Sequence, residues 1–277
     1  MTRTALRLFA LLLFIGIGFT LYMYRVALTD PVVREDRLAV ASWPEGAPPM
    51  RILIASDLHV AGPDMPPERV TKLVAQMNAL KPDLVLFAGD FVSDKRVATR
   101  HYSASEGLAP LAKLNAPLGK IAVMGNHDHW RDVSAIEAAL RSGGFTILDN
   151  AAVTAGPLNV GGVDDDFTGR DDVQKMVAAM RQLKGVPIIV SHSPDVTPDV
   201  PSDIVMVAAG HTHCGQINFP GLDSVPSVSR YGRRYACGKI TEGNKAIYVG
   251  AGLGTSILPL RLGAVPDLWM VTMGPQS

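Results

Sequence analysis

The sequence predicts an α/β fold, in which strands form sheets and helices cover the sheets from outside. From residue 50 onward, short apolar runs alternate with segments that have the apolar spacing of helices. Five polar motifs follow apolar runs: Asp57-Leu58-His59, Gly89-Asp90, Gly125-Asn126-His127-Asp128, Ser191-His192 and Gly210-His211-Thr212-His213. Open α/β sheets bind ligands beyond the carboxyl ends of their strands, so these motifs are expected to meet in one pocket.

The elements follow in order along the chain. We expect a linker over residues 29–49 with an edge strand at Val32–Val40, and then a β-α-β unit that begins the globular domain. The helix of this unit is indicated by Val70, Leu73, Val74 and Met77, which share one face. Helices are predicted at residues 67–80, 107–114, 133–141 and 173–183, and strands at 51–55, 84–88, 121–124, 145–148, 186–190, 204–208, 247–249 and 268–273.

Length and charge limit the classes of protein. The chain has 277 residues, 47% of them apolar, and its 26 basic residues are balanced by 26 acidic ones. This composition suits a globular domain with a sizeable core, which we assign to residues 50–277 and expect to be monomeric. Because nucleic-acid binders usually carry a basic surface, we do not expect nucleic acid as a partner.

The N-terminus predicts a membrane segment. Residues 8–24 are apolar or aromatic except for Thr20, and Arg3 and Arg7 precede them. We interpret residues 1–28 as an uncleaved signal anchor that crosses a bacterial inner membrane once and leaves the domain on the periplasmic side. A cleaved signal peptide and a cytoplasmic domain are the alternatives. Cys214 and Cys237 are either bonded or two free thiols.

The polar motifs carry side chains that bind metal ions. Asp57 and His59 are two residues apart and can point to one side, while Asp90 can bridge two ions; Asn126, His192, His211 and His213 complete the set. Oxygen and nitrogen ligands without thiolates favour Mn, Fe, Zn, Co or Ni over Ca or Mg, and we expect manganese. Two such ions, typically about 3.5–4 Å apart, supply a bridging hydroxide and clamp phosphoryl oxygens. His127 is the expected proton donor to the leaving group.

In this order, the motifs resemble those of the calcineurin-like metallophosphoesterase superfamily. The resemblance implies a four-layer α-β-β-α sandwich, with two mixed sheets flanked by helices. It also implies one ion held by Asp57, His59, Asp90 and His213, and a second held by Asp90, Asn126, His192 and His211. Many members have an aspartate that orients the proton donor where this chain has Ser93, which leaves Asp94 and Asp128 as candidates for that role.

Further motifs resemble a subfamily of membrane-anchored bacterial phosphodiesterases and UDP-2,3-diacylglucosamine hydrolases: Gly162-Val163-Asp164-Asp165, Ser191-His192-Ser193-Pro194-Asp195 and Gly252-Leu253-Gly254-Thr255-Ser256. This implies a phosphodiester or pyrophosphate substrate, including a nucleotide-linked lipid of lipid A synthesis. A metal-dependent exonuclease and a catalytically silent binding protein are the alternatives. The neutral charge disfavours the first and the complete ligand set disfavours the second. We interpret Arg261 as a structural ion-pair partner, and we leave His101 and His129 outside the main site.

Overall fold

The computed structural model describes residues 2–219 and 228–276. Within them, two six-stranded mixed sheets pack face to face and helices cover their outer faces, which confirms the four-layer α/β sandwich. The helices are α1 Arg3–Ala27, α2 Pro67–Ala79, α3 Ala104–Leu108, α4 Asn126–Trp130, α5 Val133–Ser142 and α6 Val173–Met180. The strands are β1 Val32–Val40, β2 Met50–Ala55, β3 Leu84–Ala88, β4 Lys120–Val123, β5 Phe145–Ile147, β6 Ala151–Ala155, β7 Leu158–Val163, β8 Val186–Ser191, β9 Met206–Ala209, β10 Gly238–Glu242, β11 Lys245–Val249 and β12 Asp267–Pro275.

The two sheets share a plan, in which parallel central strands are extended by antiparallel pairings. The first sheet has the order β1-β12-β2-β3-β4-β5, and the second has the order β10-β11-β9-β8-β7-β6. In the first sheet, β2 to β5 are parallel, whereas β12 runs antiparallel to β2 and parallel to β1. In the second, β11, β9, β8 and β7 are parallel, and β6 and β10 are antiparallel at the two edges.

Apolar side chains fill the three spaces between the layers. Side chains of both sheets meet in the central space, including Ile52, Leu86 and Val190. The outer face of the first sheet packs against α2, α3 and α5, and that of the second sheet packs against α6. Parallel strands covered on both faces have continuous apolar sequences, which is why β2, β3 and β8 were predictable.

Helix starts follow known capping rules. Pro67 occupies the first turn of α2, where its missing N–H has no intrahelical partner to lose. The side chains of Asp132 and Asp172 accept hydrogen bonds from the backbone of the first turns of α5 and α6. These caps hold the two helices in register against the sheets.

The structure differs from the predicted elements at one helix, three strands and one further short helix. The helix expected at residues 107–114 consists of α3 and a separate 3₁₀ helix, Ala109–Lys113, in which Pro110 removes an amide donor. Strands β6, β7 and β10 were not predicted. Gly161 and Gly162 interrupt the apolar pattern of β7 because Leu148, Met176 and Met180 occupy the space that their side chains would need. The motif that contains Asn126 begins α4, a short helix that was also not predicted.

Among the described residues, α1 is the one helix long and apolar enough to cross a membrane, with a mean hydropathy of 2.1 over its best 18-residue window. Most of its apolar side chains are exposed, from Leu6 to Tyr22. Within residues 2–219 and 228–276, its last turns contact the domain, where Met23 and Ala27 are buried. The helix therefore projects from the sandwich rather than completing its core.

Candidate active site

Both sheets deliver polar residues to one edge of the sandwich. Asp57, Asp90 and Asn126 follow β2, β3 and β4 of the first sheet, and His192 and His211 follow β8 and β9 of the second. All five strands are parallel to a neighbour, so their carboxyl ends open on the same side. The structure brings together all seven side chains that the sequence predicts as metal ligands.

Asp57, His59 and His213 form a first cluster, which meets Asp90 through His59. His59 Nε2 lies 3.0 Å from His213 Nε2 and 3.4 Å from Asp90 Oδ2. Asp57 Oδ1 lies 3.5 Å from His213 Nε2 and 4.0 Å from His59 Nε2. The donor atoms of Asp57, His59 and His213 thus lie within 4.8 Å of one another, and Asp90 Oδ2 adjoins His59.

A second cluster shares the same oxygen of Asp90. His192 Nε2 lies 3.3 Å from Asp90 Oδ2, 3.0 Å from Asn126 Oδ1 and 3.1 Å from His211 Nδ1. The other oxygen of Asp90 accepts a hydrogen bond from the backbone N–H of His127 at 2.9 Å. This bond fixes the carboxylate so that Oδ2 stands between His59 and His192.

The spacing of the donor atoms fits divalent transition metals. Ligands about 2.0–2.2 Å from one ion, at tetrahedral or octahedral angles, are separated from each other by about 3.0–3.5 Å. Most of the distances in the two clusters lie near this range. Within residues 2–219 and 228–276, no lysine or arginine forms an ion pair with the buried carboxylates of Asp57 or Asp90. Since buried charges require partners, the donor set is suited to two cations.

The pKa values of the clustered side chains also suit metal binding. Burial, together with the nearby Asp90 carboxylate, raises the pKa of Asp57 to about 6. Burial also holds the pKa values of His59 and His213 well below that of free histidine, so both are neutral and their lone pairs are free for a metal. His192 behaves differently: although burial acts to lower its pKa, the Asp90 carboxylate raises it well above the usual value. In the absence of metal, a proton on His192 therefore neutralises Asp90.

A backbone carbonyl orients the His192 ring. Its Nδ1 lies 2.8 Å from the carbonyl oxygen of Ala88, which can only accept a hydrogen bond. Nδ1 therefore carries a hydrogen, and Nε2 faces the second cluster. Such a bond selects the tautomer that a metal requires.

The backbone at the site adopts a conformation that side chains usually avoid. Five of the seven predicted ligands have φ between 50° and 69°: Asp57, His59, Asp90, His211 and His213. Non-glycine residues rarely occupy this left-handed region, and strained residues cluster at functional sites. The turns point side chains of successive motifs back into the same space.

The motif glycines allow the carboxylates to approach the backbone closely. A Cβ on Gly125 would overlap the Asp90 carboxylate, and one on Gly210 would overlap that of Asp57. Glycine is therefore required at both positions by the packing of these two carboxylates.

His127 lies at the edge of the clusters with a polar atom on each side of its ring. Nδ1 lies 2.5 Å from Asp94 Oδ1, and Nε2 lies 3.2 Å from Ser256 Oγ. Asp128 is not near this ring: its carboxylate accepts hydrogen bonds from the backbone N–H groups of Asp90, Phe91, Val92 and Gly125. Of the two candidate orienting carboxylates, the structure brings only Asp94 to His127.

Asp128 instead organises the turn that carries Asp90. Its four backbone hydrogen bonds join the end of β3 to the start of α4. Burial, and then the charge of Asp90, raises the pKa of Asp128 to about 7. The sequence could not separate this role from that of Asp94. Asp128 is next to His127 in the chain, and Asp94 follows the motif that contains Asp90, so either carboxylate could reach the His127 ring.

Other side chains near the site were not assigned from the sequence. His129 Nε2 is 2.8 Å from Asp164 Oδ1, which ties α4 to the turn after β7. Arg261 is fully buried and donates hydrogen bonds to the carbonyls of Ala251, Gly252 and Gly254. Arg261 thus braces the loop that packs against Asp57, and the charges of Asp57 and Asp267 act against the lowering of its pKa by burial.

A cavity of about 480 Å³ opens above the clusters. Asp90, Asn126, His127, His211 and His213 line its floor. Its rim is apolar, with Trp130, Phe167, Val228, Ile257 and Leu258. The Trp130 ring packs edge-on against His127, with centroids 4.9 Å apart. An apolar rim above a polar floor suits a ligand with a phosphoryl group and an apolar part.

A disulfide closes the segment that carries His213. Cys214 and Cys237 are bonded, and Thr212 Oγ donates to the carbonyl oxygen of Ala236 at 2.7 Å. The sequence left this pairing open. Disulfides persist in oxidising compartments such as the periplasm.

Comparison with known proteins defines the class of the molecule. Residues 50–215, more than half of the chain, match the calcineurin-like phosphoesterase family. The chain belongs to this family and is by class a metallophosphoesterase, a hydrolase of phosphoesters. Members of the family generally bind two divalent metal ions, in agreement with the two clusters.

Several relatives extend along nearly the whole chain. The metallophosphoesterase YkuE of Bacillus subtilis is 29% identical over 93% of this chain and 90% of its own length. A metallophosphoesterase of Aquifex aeolicus is 32% identical over 87% of this chain and 91% of its own length. Among solved structures, the NAD nucleotidase of Haemophilus influenzae aligns with a TM-score of 0.47 at 18% identity, over 74% of this chain and 45% of that enzyme.

Proposed function

We propose that the protein hydrolyses phosphodiester or pyrophosphate bonds with two divalent transition metal ions, of which manganese is the favoured choice. The observation that carries the proposal is the position of Asp90 Oδ2, which is 3.4 Å from His59 Nε2 and 3.3 Å from His192 Nε2. One carboxylate oxygen between two groups of buried imidazoles is the arrangement that a pair of ions requires.

Each proposed residue has a distinct role. Asp57, His59, Asp90 and His213 would hold one ion, and Asp90, Asn126, His192 and His211 the other. When bound, two such ions supply a hydroxide nucleophile and neutralise charge on the phosphoryl oxygens. His127 donates a proton to the leaving group through Nε2, while Asp94 holds Nδ1 and fixes the ring. Ser256 contacts Nε2 and keeps it directed toward the cavity.

The shape of the cavity supports a substrate with an apolar part. The exposed side chains of Trp130, Phe167 and Ile257 surround the opening above the metal-binding floor. A nucleotide-linked lipid such as UDP-2,3-diacylglucosamine has this character, and so does a membrane phospholipid. The first is made in the cytoplasm, so the location of the domain decides between them.

We propose that α1 anchors the protein in a bacterial inner membrane and that the catalytic domain is periplasmic. The exposed apolar surface of α1 and the positive N-terminal residues Arg3 and Arg7 support this orientation. The Cys214–Cys237 bond supports the oxidising side of the membrane. A reporter enzyme fused to the C-terminus tests the orientation, and periplasmic activity would exclude UDP-2,3-diacylglucosamine as the natural substrate.

Hydrolysis is tested with the full chain in detergent, using bis-(p-nitrophenyl) phosphate before and after removal of metal by a chelator. We expect turnover that depends on added manganese and about two metal ions per chain. His192→Asn should lose metal and activity, whereas the matched His101→Asn, at an exposed position, should keep both. Two bound ions without turnover of any phosphodiester would instead identify a binding protein.

A further inference from the structure

One wall of the cavity is also the surface against which α1 packs. The backbone N–H of Arg261 donates to the carbonyl oxygen of Met23 at 3.1 Å. The ring of Phe219 stacks on that of Phe19, with centroids 6.4 Å apart. The last turns of α1 thus contact the loops that continue into the cavity, instead of the opposite end of the sandwich.

This wall consists of residues 216–219 and 256–262, which are joined to each other. Gln216 Nε2 donates to the carbonyl oxygens of Leu258 and Leu260, at 3.0 Å and 3.2 Å. The backbone N–H of Leu262 donates to the carbonyl oxygen of Gln216 at 2.9 Å. We refer to these two segments as the α1-side wall.

The contact with α1 fixes the depth of the wall. Residues 8–24 form the apolar stretch of α1, and as a helix they extend about 26 Å, close to the thickness of the hydrocarbon layer. Phe19 lies inside this stretch and Met23 near its end. Phe219, which stacks on Phe19, would therefore reach the hydrocarbon when α1 crosses a bilayer.

Apolar side chains of the wall face solvent. Ile257 is 72% exposed and Leu258 is 39% exposed, and both also line the cavity. Phe219 is 46% exposed. Contiguous exposed apolar residues usually mark a surface that binds a protein or a membrane, and here they continue the apolar surface of α1.

We propose that the α1-side wall is immersed in the lipid leaflet that α1 enters, so that the cavity opens at the membrane surface. The partner of this surface is the bilayer itself, and the substrate class is an amphiphilic phosphoester whose acyl chains stay in the leaflet during hydrolysis. The proposal rests on the proposed anchor function of α1 and specifies the substrate of the same site.

The experiment uses full-length protein in phosphatidylcholine vesicles with ordinary or brominated acyl chains, because bromine quenches tryptophan fluorescence by contact. The background is Trp130→Phe, in which the remaining Trp43 and Trp269 are buried. Reporters are Ile257→Trp and Leu258→Trp. The matched control is Leu118→Trp: Leu118 is 39% exposed, like Leu258, but precedes β4 at the edge of the sheet opposite the site.

We expect lower emission in brominated than in ordinary vesicles for the reporters at 257 and 258, and equal emission for the reporter at 118. Phe9→Trp reports separately on insertion of α1. Quenching at 9 without quenching at 257 and 258 would overturn the proposal and leave the anchor in place. Absence of quenching at positions 9, 257 and 258 would reject both the anchor function of α1 and the immersion of the wall. Turnover of soluble diester by the unsubstituted protein in the same vesicles reports on the hydrolase independently of either result.

Discussion

His127 shows how a side chain beside the metal clusters can have a separate role. It follows Asn126 in the chain, and its two ring nitrogens contact Asp94 and Ser256. Its backbone N–H, rather than its ring, orients Asp90. The backbone of this residue thus orients a proposed metal ligand, while its ring is the proposed proton donor.

Replacement of His127 by asparagine should separate these two roles. We expect kcat to fall about 10²–10⁴-fold for substrates with poor leaving groups, since proton donation is lost, and less for p-nitrophenyl esters. Metal content, measured by elemental analysis, should stay unchanged. Asn126→Ala is the comparison and should lose one of two ions. Equal loss of metal in both variants would contradict the assignment.

Lys95 is a buried charge outside the proposed ligand set. Its Nζ lies 2.8 Å and 2.9 Å from the two oxygens of Asp64, and 2.9 Å from Thr255 Oγ. Lys95 follows Asp94 in the chain, and Thr255 precedes Ser256. The contact between Lys95 and Thr255 therefore joins the two loops whose side chains hold opposite sides of the His127 ring.

Loss of this pair should destabilise the fold. Lys95→Met leaves the Asp64 carboxylate buried without its cation, which we expect to lower the free energy of unfolding by about 3–5 kcal/mol. Arg141→Met, which removes a surface ion pair with Glu137, should cost less than about 1 kcal/mol. Chemical denaturation of the detergent-solubilised protein measures both. Similar losses in the free energy of unfolding for the two variants would show that the buried pair stabilises the fold no more than the surface pair does.

At the scale of single residues, the motifs identified all seven proposed ligands before the structure was considered. They could not choose between Asp94 and Asp128, since a carboxylate near a histidine in sequence can turn either way. Lys95 and Asp64 gave no signal, and the motif that contains Ser256 did not show that this residue reaches His127. Their importance comes from contacts between segments more than thirty residues apart.

At the scale of elements, the site is built from short turns that follow parallel strands. Asp57, Asp90 and His211 all adopt left-handed φ just beyond β2, β3 and β9. The segment after β9 is also tied down by the Cys214–Cys237 bond, next to His213. This bond restrains a turn whose backbone is strained at His213 and Cys214.

Removal of the disulfide should weaken both the fold and the first metal cluster. The bond closes a loop with a sequence separation of 23. For a loop of this size, Cys214→Ala/Cys237→Ala should lower the free energy of unfolding by about 3 kcal/mol. Because His213 precedes Cys214, metal affinity should fall as well. Thermal unfolding with and without manganese measures both effects; unchanged metal affinity would show that the turn holds His213 without the bond.

The sequence predicted most helices and strands. It missed elements in which packing against neighbouring segments interrupts the apolar pattern. In β7, glycines at 161 and 162 make room for side chains of α6 and of the first sheet, so the apolar pattern is broken. Edge strands β6 and β10 are partly exposed, β6 consists mainly of small alanines, and β10 alternates with charged residues. Because neither strand is fully buried, its sequence lacks the continuous apolar run by which the central strands were predicted.

At the scale of the whole molecule, the sandwich concentrates acidic and imidazole groups in a buried space, where protons compete with metals. Asp57 has its pKa raised to about 6, and His192 has its pKa raised well above the usual value by Asp90. Both groups must lose protons before they bind a cation. As pH rises the deprotonated fractions increase, so metal affinity should rise with pH above about 6.

Calorimetric titration of metal-free protein with manganese at pH 6 and pH 8 tests this competition. We expect tighter binding at pH 8, by about tenfold per pH unit for a proton still held by His192, whereas Asp57 contributes only about twofold in all. The heat should vary with the ionisation enthalpy of the buffer, as proton release requires. Binding that is equally tight at both pH values, with no buffer dependence, would show that the ligands are already deprotonated.

The sequence by itself determined the α/β class and the chemistry of the site, because ligand types, glycines and apolar strands are local properties of the chain. Tertiary structure decided which carboxylate meets His127, that Cys214 and Cys237 are bonded, and that α1 packs beside the cavity. These features depend on distances between remote segments. Such distances are set only when the two sheets pack face to face and their loops meet at one edge.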